Sequence, residues 1–363
     1  LTTLSGRIDA GQRLWLEGLA GEQATHRLLV DKRQRQSIAG LSVTIDACDK
    51  VVRAGTVYDR LIQEKLKEGL YGGPLAMELL IADARHAADL LLPIFERSRG
   101  LNGWVAVPTS PLSTVDTVDM AETVPLPDAK DRRRNLMVGI AGLPSQLPVI
   151  ETLITSGISI NIGLIFSLLQ FRAVAQTILQ ALEACVVAGR KPVSSCFITI
   201  SVDRLLAGFS HLFLKDLAAA YVNAVLMEIG QAARNLFETR RWKRVIEIGA
   251  RPPRLICSFA DSIELCRSSF SLVREIGAVC SVAARNQDTE LSFCRLYPAV
   301  RDQKRTGNEQ RQSFFDGLGA GIEIAAFTDR LQKDEADALL RSWIRLLDTI
   351  ARKSAALTTA GNA

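Results

Sequence analysis

The stretch from Asn135 to Ser167, NLMVGIAGLPSQLPVIETLITSGISINIGLIFS, constrains the fold more than any other part of the chain. Leu136 to Ile140 is an apolar run without a charge, the composition of a strand covered on both faces. Pro144 stops it. Leu147, Ile150, Leu153 and Ile154 then recur at helical spacing, Gly157 sits at a helix C-cap position, and Ile158 to Ile162 resume the sheet. Strand, helix and strand with this spacing make one βαβ unit of a parallel sheet.

Reading outward from that unit, the chain yields eight strand candidates separated by helices. Gln12 to Leu19 is the first and Ile38 to Thr44 the second, with a helix over Ala20 to Asp31 between them. Helices follow from Ala47 to Gly69 and from Pro74 to Ser98, the latter with Leu79, Ala82, Ala87, Leu90, Leu91 and Ile94 on one face. Trp104 to Val107 is the third strand, the central unit supplies the fourth and fifth, and a helix runs from Leu168 to Ala188. Cys196 to Ser201 is the sixth. Helices over Ala207 to Phe237 and Arg240 to Gly249 precede the seventh at Arg254 to Phe259, and Ala278 to Ala283 is the eighth. The tail from Arg311 to Ala356 reads as helix, with Leu339, Leu340, Trp343, Ile344, Leu347 and Ile350 placed toward a core. Eight alternating units with buried strands predict an α/β fold of the TIM type, a (β/α)8 barrel with extra helices. One barrel domain over residues 1–363 accommodates them all, with residues 300–363 as a helical extension packed on it.

Several function classes drop out on composition. The net charge of +5 is spread over mixed-sign helices, and the basic clusters at Arg132 to Arg134 and Arg240 to Arg244 lack interleaved aromatics. No nucleic-acid partner is expected. No apolar run is long enough to cross a membrane and the first residues lack the features of a signal peptide, so no membrane partner and a cytoplasmic location are expected. Cys48, Cys185, Cys196, Cys257, Cys266, Cys280 and Cys294 are scattered without CxxC or Cys/His ligand spacing. Asp83 and His86 have helical spacing for a metal, but a polar helix face explains them, so no metal is expected. Gly18 to Gly21 does not supply GxGxxG and no P-loop occurs; no cofactor is expected.

The central unit and several flanking segments carry a resemblance. Bacterial transaldolases follow the pattern NLM.(K)I...P.GL.AI..L...GI..N.TL.FS...Y.AVA, and this chain has NLMVGIAGLPSQLPVIETLITSGISINIGLIFSLLQFRAVA. LWLEGL, YDRLI, IADARHAADLLLPIFE, SVDRL and LLRSWIRLLDTIARKSAAL extend the similarity over nearly the whole length. The resemblance implies a transaldolase-like barrel whose chemistry sits at the C-terminal strand ends, and at those ends this chain departs from the family. The position of the Schiff-base lysine is Gly139, and that of a water-positioning threonine is Gly163. The general acid–base glutamate matches Pro108, and the proton-moving aspartate of the first strand is Glu17. On the sixth strand a serine becomes Cys196 and the phosphate-binding arginine becomes Ser201. The second strand ends in Val43, Thr44 and Ile45 without the family's Asn, with Asp46 next. After the seventh, the phosphate loop is replaced by Cys257 to Asp261. Asn161 alone is retained.

A Schiff base needs an amine whose pKa the site can lower, and a sugar phosphate needs cations or helix-terminal amides. The strand candidates contain no lysine; Lys50, Lys191 and Lys243 lie outside them. The substitutions remove volume, so the expected pocket is roomy and apolar, lined by Thr44, Trp104, Pro108, Met137, Gly139, Ala141, Gly163, Ile198, Ser201, Phe259 and Asp261. Glu17, Asp46, Asn161 and Cys196 are the candidate catalytic groups, Glu17 as acid or base and Cys196 as nucleophile or as an inert buried thiol. The expected partner is an apolar small molecule. Three readings stand: a repurposed biosynthetic enzyme for cyclisation, isomerisation or elimination; a non-catalytic binding or scaffold protein; and residual transaldolase or aldolase activity. A monomer and a homodimer are both compatible with the sequence.

Overall fold

The computed structural model describes residues 14–21, 38–112, 133–212, 215–259, 279–283 and 324–361. Eight parallel strands close into a barrel in chain order: β1 (Leu14–Leu19), β2 (Ile38–Val43), β3 (Trp104–Pro108), β4 (Leu136–Ala141), β5 (Ile160–Ile165), β6 (Cys196–Ser201), β7 (Arg254–Ser258) and β8 (Val279–Ala283). The circle is completed by β1 on β8, where Leu14 is opposite Cys280 and Glu17 opposite Ala283. The described helices are α1 (Ile45–Ala54), α2 (Asp59–Lys67), α3 (Gly72–Arg97), α4 (Leu147–Thr155), α5 (Leu168–Val187), α6 (Val202–Ser210), α7 (Lys215–Phe237), α8 (Arg240–Glu247) and α9 (Ile324–Gly361). The (β/α)8 architecture is the one the alternating pattern predicts. Of the helix expected over Ala20 to Asp31, only Ala20 and Gly21 are described and they are not helical; residues 22–31 and the tail before Ile324 lie outside the described residues.

Two differences from the sequence reading have local causes. The single helix expected over Ala207 to Phe237 is two, α6 starting at Val202 directly after β6 with Leu205, Leu206 and Phe209 buried on one face, and α7 starting at Lys215. In the C-terminal helix, Trp343, Leu346 and Ile350 are buried, whereas Leu339 and Ile344 are 39% and 54% exposed. Residues three and seven positions on from Trp343 share its face, and Ile344 is rotated by about 100° from it.

Strand alternation divides the barrel's interior into a filled half and an open half. Toward the N-terminal ends, Trp15, Trp104, Met137, Phe197 and Ile256 pack together, with the Trp15 and Phe197 rings 5.2 Å apart and Trp104 6.1 Å from Phe197. The indole N–H of Trp15 donates to Ser42 Oγ at 2.8 Å, so the ring is held at both its apolar and its polar end. Its space is taken from β2: a Cβ on Gly40 would come within 2.2 Å of the Trp15 ring. Outside the strands, the larger core joins the barrel to its helices through residues such as Leu41, Val105, Ile150, Ile198 and Phe259.

The longest helix, α9, runs over one side of the barrel and binds to its own chain. Gln332 is buried and its Nε2 donates to the carbonyls of Leu164 at 2.8 Å and Gly142 at 3.1 Å, both at strand ends. Gln170 of α5 donates to the Thr328 carbonyl and to Asp329. Further along, Thr349 donates to Asp49 of α1 at 2.6 Å and Lys353 to the Gly55 carbonyl at 2.7 Å. Leu164, at the bulged end of β5, has φ of 58°, a strained value for a branched-chain residue, and Gln332 holds its carbonyl.

Gly40→Ala should destabilise the protein by about 3 kcal/mol through overpacking against Trp15. Denaturant titration should show a lower midpoint with an unchanged slope. Adding Trp15→Phe should make the double variant less destabilised than the sum of the singles, because the smaller ring yields the room the new methyl needs.

Candidate functional site

The open half of the barrel is a cavity of about 1030 Å³ at the C-terminal strand ends, at the upper end of the range for small-molecule sites. Register brings its floor together. Gly139 of β4 lies between Pro108 of β3 and Asn161 of β5, and Ala141 is opposite Gly163. All five line the cavity, together with Glu17, Thr44 and Ser201. The two glycines differ in the room around them. A Cβ on Gly163 would meet nothing within 4 Å, whereas one on Gly139 would lie 3.3 Å from the Val107 carbonyl oxygen.

Two hydrogen-bonded pairs cross the floor. Thr199 of β6 donates to Asn161 Oδ1 at 2.7 Å, which leaves the amide nitrogen of Asn161 as its group for a ligand. Ser258 of β7 donates to Glu17 Oε2 at 3.0 Å. Glu17 is positioned from below by the buried Trp15 and from above by the turn that leaves β1: Gly18 and Gly21 both have φ of 81°, and the Gly21 N–H donates to Asp83 at 3.0 Å. Asp83 is 5% exposed and also accepts from the Tyr58 hydroxyl. It anchors the end of β1 and is not part of a solvated polar face. Among the described residues no cluster of metal-ligating side chains occurs, and no helix is long and apolar enough to cross a membrane.

Several candidates lie elsewhere. Trp104 and Met137 are 3% and 2% exposed in the aromatic layer beneath the cavity, because they precede the rim by one or two inward steps along their strands. Ile198 and Phe259 are fully buried in the packing between barrel and helices. Cys196 begins β6 at the opposite end of the barrel, and burial pushes its thiol up to about 12, which leaves it no thiolate near neutral pH. It is the inert thiol and not a nucleophile of this site. Asp46 is on the outside of α1, 55% exposed and paired with Arg345 of α9 at 3.1 Å. Asp261 lies outside the described residues.

The cavity also uses residues that the sequence reading passed over. Thr199 and Ser42 follow from period-two alternation, being two residues from Ser201 and Thr44, and Ser258 is opposite Ser201 in the β6–β7 register. Gln146 and Lys333 do not, because they come from the turn after β4 and from α9, and Leu339, expected in the core, lines the cavity instead. Asp203, in the first turn of α6, does not line the cavity but lies near Glu17. Burial first, and the nearby Glu17 carboxylate second, raise its carboxyl from 3.8 to about 6. Arg204, whose guanidinium is 3.8 Å from it, offsets part of that.

An acid with a raised folded-state pKa binds its proton more tightly folded than unfolded. Asp203 therefore favours folding below about pH 4, and that contribution is lost as the pH rises through 6. Asp203→Asn should abolish this part of the pH dependence and raise stability at pH 7 by about 1–3 kcal/mol, read as a higher denaturation midpoint at pH 7 than at pH 4 relative to the parent.

Comparison with known proteins shows the family to which this barrel belongs. The chain is 27% identical to a transaldolase of Thermobifida fusca (strain YX) over 365 aligned positions, covering 96% of this chain and 98% of that one. It is 27% identical to a transaldolase of Parafrankia sp. (strain EAN1pec), covering 96% of both. A transaldolase of Saccharopolyspora erythraea is 26% identical, covering 96% of this chain and 97% of its own. The family model described as transaldolase/fructose-6-phosphate aldolase matches residues 47–350, from α1 through most of α9, and the chain belongs to that family.

Proposed function

We propose that this protein no longer forms a Schiff base with a sugar phosphate and acts instead on a bulky, largely apolar small molecule, by acid–base chemistry centred on Glu17. The observation that carries this reading is the rim of β4 and its neighbours. Gly139, Pro108 and Gly163 meet there at register positions that face one cavity, and none of them has a proton or a nucleophile to offer. None of the eight strands contains a lysine. Among the described lining residues the one cation is Lys333, which comes from α9 and is exposed.

The chemistry that remains is proton transfer and orientation. Glu17 lies close enough to Asp203 to help raise that carboxyl, and Ser258 orients one of the Glu17 oxygens. A carboxylate so placed removes a proton from a bound molecule and returns it elsewhere, while Asn161 donates to a carbonyl or hydroxyl of the same molecule. Cyclisation, isomerisation and elimination all need no more than this. Apolar walls from Ile45, Ile140, Leu143, Leu164 and Leu340 suit a hydrophobic body, and Lys333 is the one described lining cation for a phosphate.

A second reading, retained transaldolase chemistry, is favoured by the near full-length similarity to proteins named transaldolase. Borohydride trapping separates the two. Incubation with fructose 6-phosphate and borohydride should leave the intact mass unchanged; a stable adduct mapping to Lys333 or another lysine would establish the second reading and end the first.

Native against denatured mass spectrometry of freshly purified protein should reveal a small, weakly charged molecule of several hundred daltons that leaves on unfolding. Glu17→Gln should retain that molecule and reduce its turnover by about 10²–10⁴-fold. Unchanged turnover in this variant would remove Glu17 from the chemistry, and binding without turnover in the parent would make the protein a non-catalytic binder.

A further inference from the structure

Gln146 sits in the short 3-10 turn between β4 and α4, its backbone fixed by a hydrogen bond from its N–H to the Leu143 carbonyl at 2.9 Å. The side chain lines the cavity and is 4% exposed, yet its Oε1 is buried without a hydrogen-bond partner. A buried polar atom left so destabilises the fold, and folded proteins keep few of them. Nothing in the fold requires an amide here. In the transaldolase pattern quoted above, the corresponding position is a glycine, so the carboxamide belongs to this chain's own site.

We infer that Gln146 is a specificity-determining residue that hydrogen-bonds a hydroxyl of the ligand, and that the cavity takes a neutral amphipathic molecule with a hydroxylated head and an apolar body. This rests on the neutral, apolar pocket proposed above and names the ligand class for it. A hydroxyl both donates and accepts, so it satisfies the carboxamide in either orientation of its terminal torsion. The same head would lie over a floor that already presents Ser42, Thr199, Ser201 and the Asn161 amide. Charge argues for neutrality. The described lining residues include three carboxylates, Glu17, Asp329 and Asp337, against the single ammonium of Lys333. A phosphate or carboxylate entering the cavity would meet net repulsion.

The test uses three probes sharing one alkyl chain: hexyl β-glucoside, its per-O-methyl derivative and hexyl phosphate, each titrated calorimetrically into the full-length protein. Hexyl glucoside should bind most tightly. Removing its hydroxyls by methylation, or the amide by Gln146→Leu or Gln146→Met, should each weaken binding about tenfold, and the two losses should not add. Both variants should also melt about 1–3 °C above the parent without ligand, because an unpaired buried oxygen has been removed. Equal binding of the methylated probe, unchanged glucoside binding by both variants, or a lowered melting temperature in both would overturn the role of Gln146 and leave the apolar pocket standing. Tightest binding of hexyl phosphate, or binding of none of the three, would overturn both this inference and the reading on which it rests.

Discussion

The contact between Trp15 and the backbone of β2 at Gly40 sets the terms for the rest of the molecule. A barrel of eight strands has an interior just wide enough for side chains to fill it. Here the indole takes the centre, reaching so close to β2 that a single methyl there has no room. Phe197, Trp104 and Met137 close around it. With the lower half filled by a few large rings, the strands keep their closure without help from the upper half. The rim is thereby released from packing duty, and small residues can stand there at little cost in stability.

The helices on the outside complete the division of labour. α9 is tied to the strand ends by the buried Gln332 and to the far side of the barrel by Thr349 and Lys353, so it is part of the cavity wall and not an appendage. It brings to the site what the strands lack: the exposed Leu339, the cation of Lys333 and two carboxylates. The strained backbone of Leu164 lies where Gln332 grips the β5 end. A conformation that costs on the order of 1–3 kcal/mol survives because helix and strand determine it together.

How much of this could be read in advance follows the range of the interactions. The apolar run Leu136 to Ile140, Pro144 and the Gly157 cap announced a βαβ unit because the signals are local. Eight of the candidate residues, from Glu17 to Ser201, line the cavity because period-two alternation and the family pattern both point inward at strand ends. The same alternation misled where depth mattered: Trp104 and Met137 face inward, yet at a level where rings fill the space. Depth along a strand is a matter of register between neighbours, which one strand's sequence does not contain. Ile344 and Leu346 exchange roles because one residue of phase in a 38-residue helix is a third of a turn. Asp203 and Gln146 left no local signal, since what distinguishes them is a neighbour far along the chain or the lack of one.

The two rim glycines show how such a site changes character without losing its fold. At Gly163 a side chain would extend into open cavity, so the position is sterically independent of its surroundings. At Gly139 a Cβ would lie 3.3 Å from the Val107 carbonyl oxygen, tight enough that β3 would have to give way. Returning an amine to β4 is therefore a backbone problem as well as a chemical one: the strands must part by a few tenths of an ångström, and a buried ammonium must find partners among hydroxyls, Asn161 and Glu17. That carboxylate would supply the charge, and an ammonium paired with it would hold it ionised. An amine at position 139 and the proton-transfer role proposed for Glu17 therefore exclude one another, so the two positions are coupled through the cavity that they share.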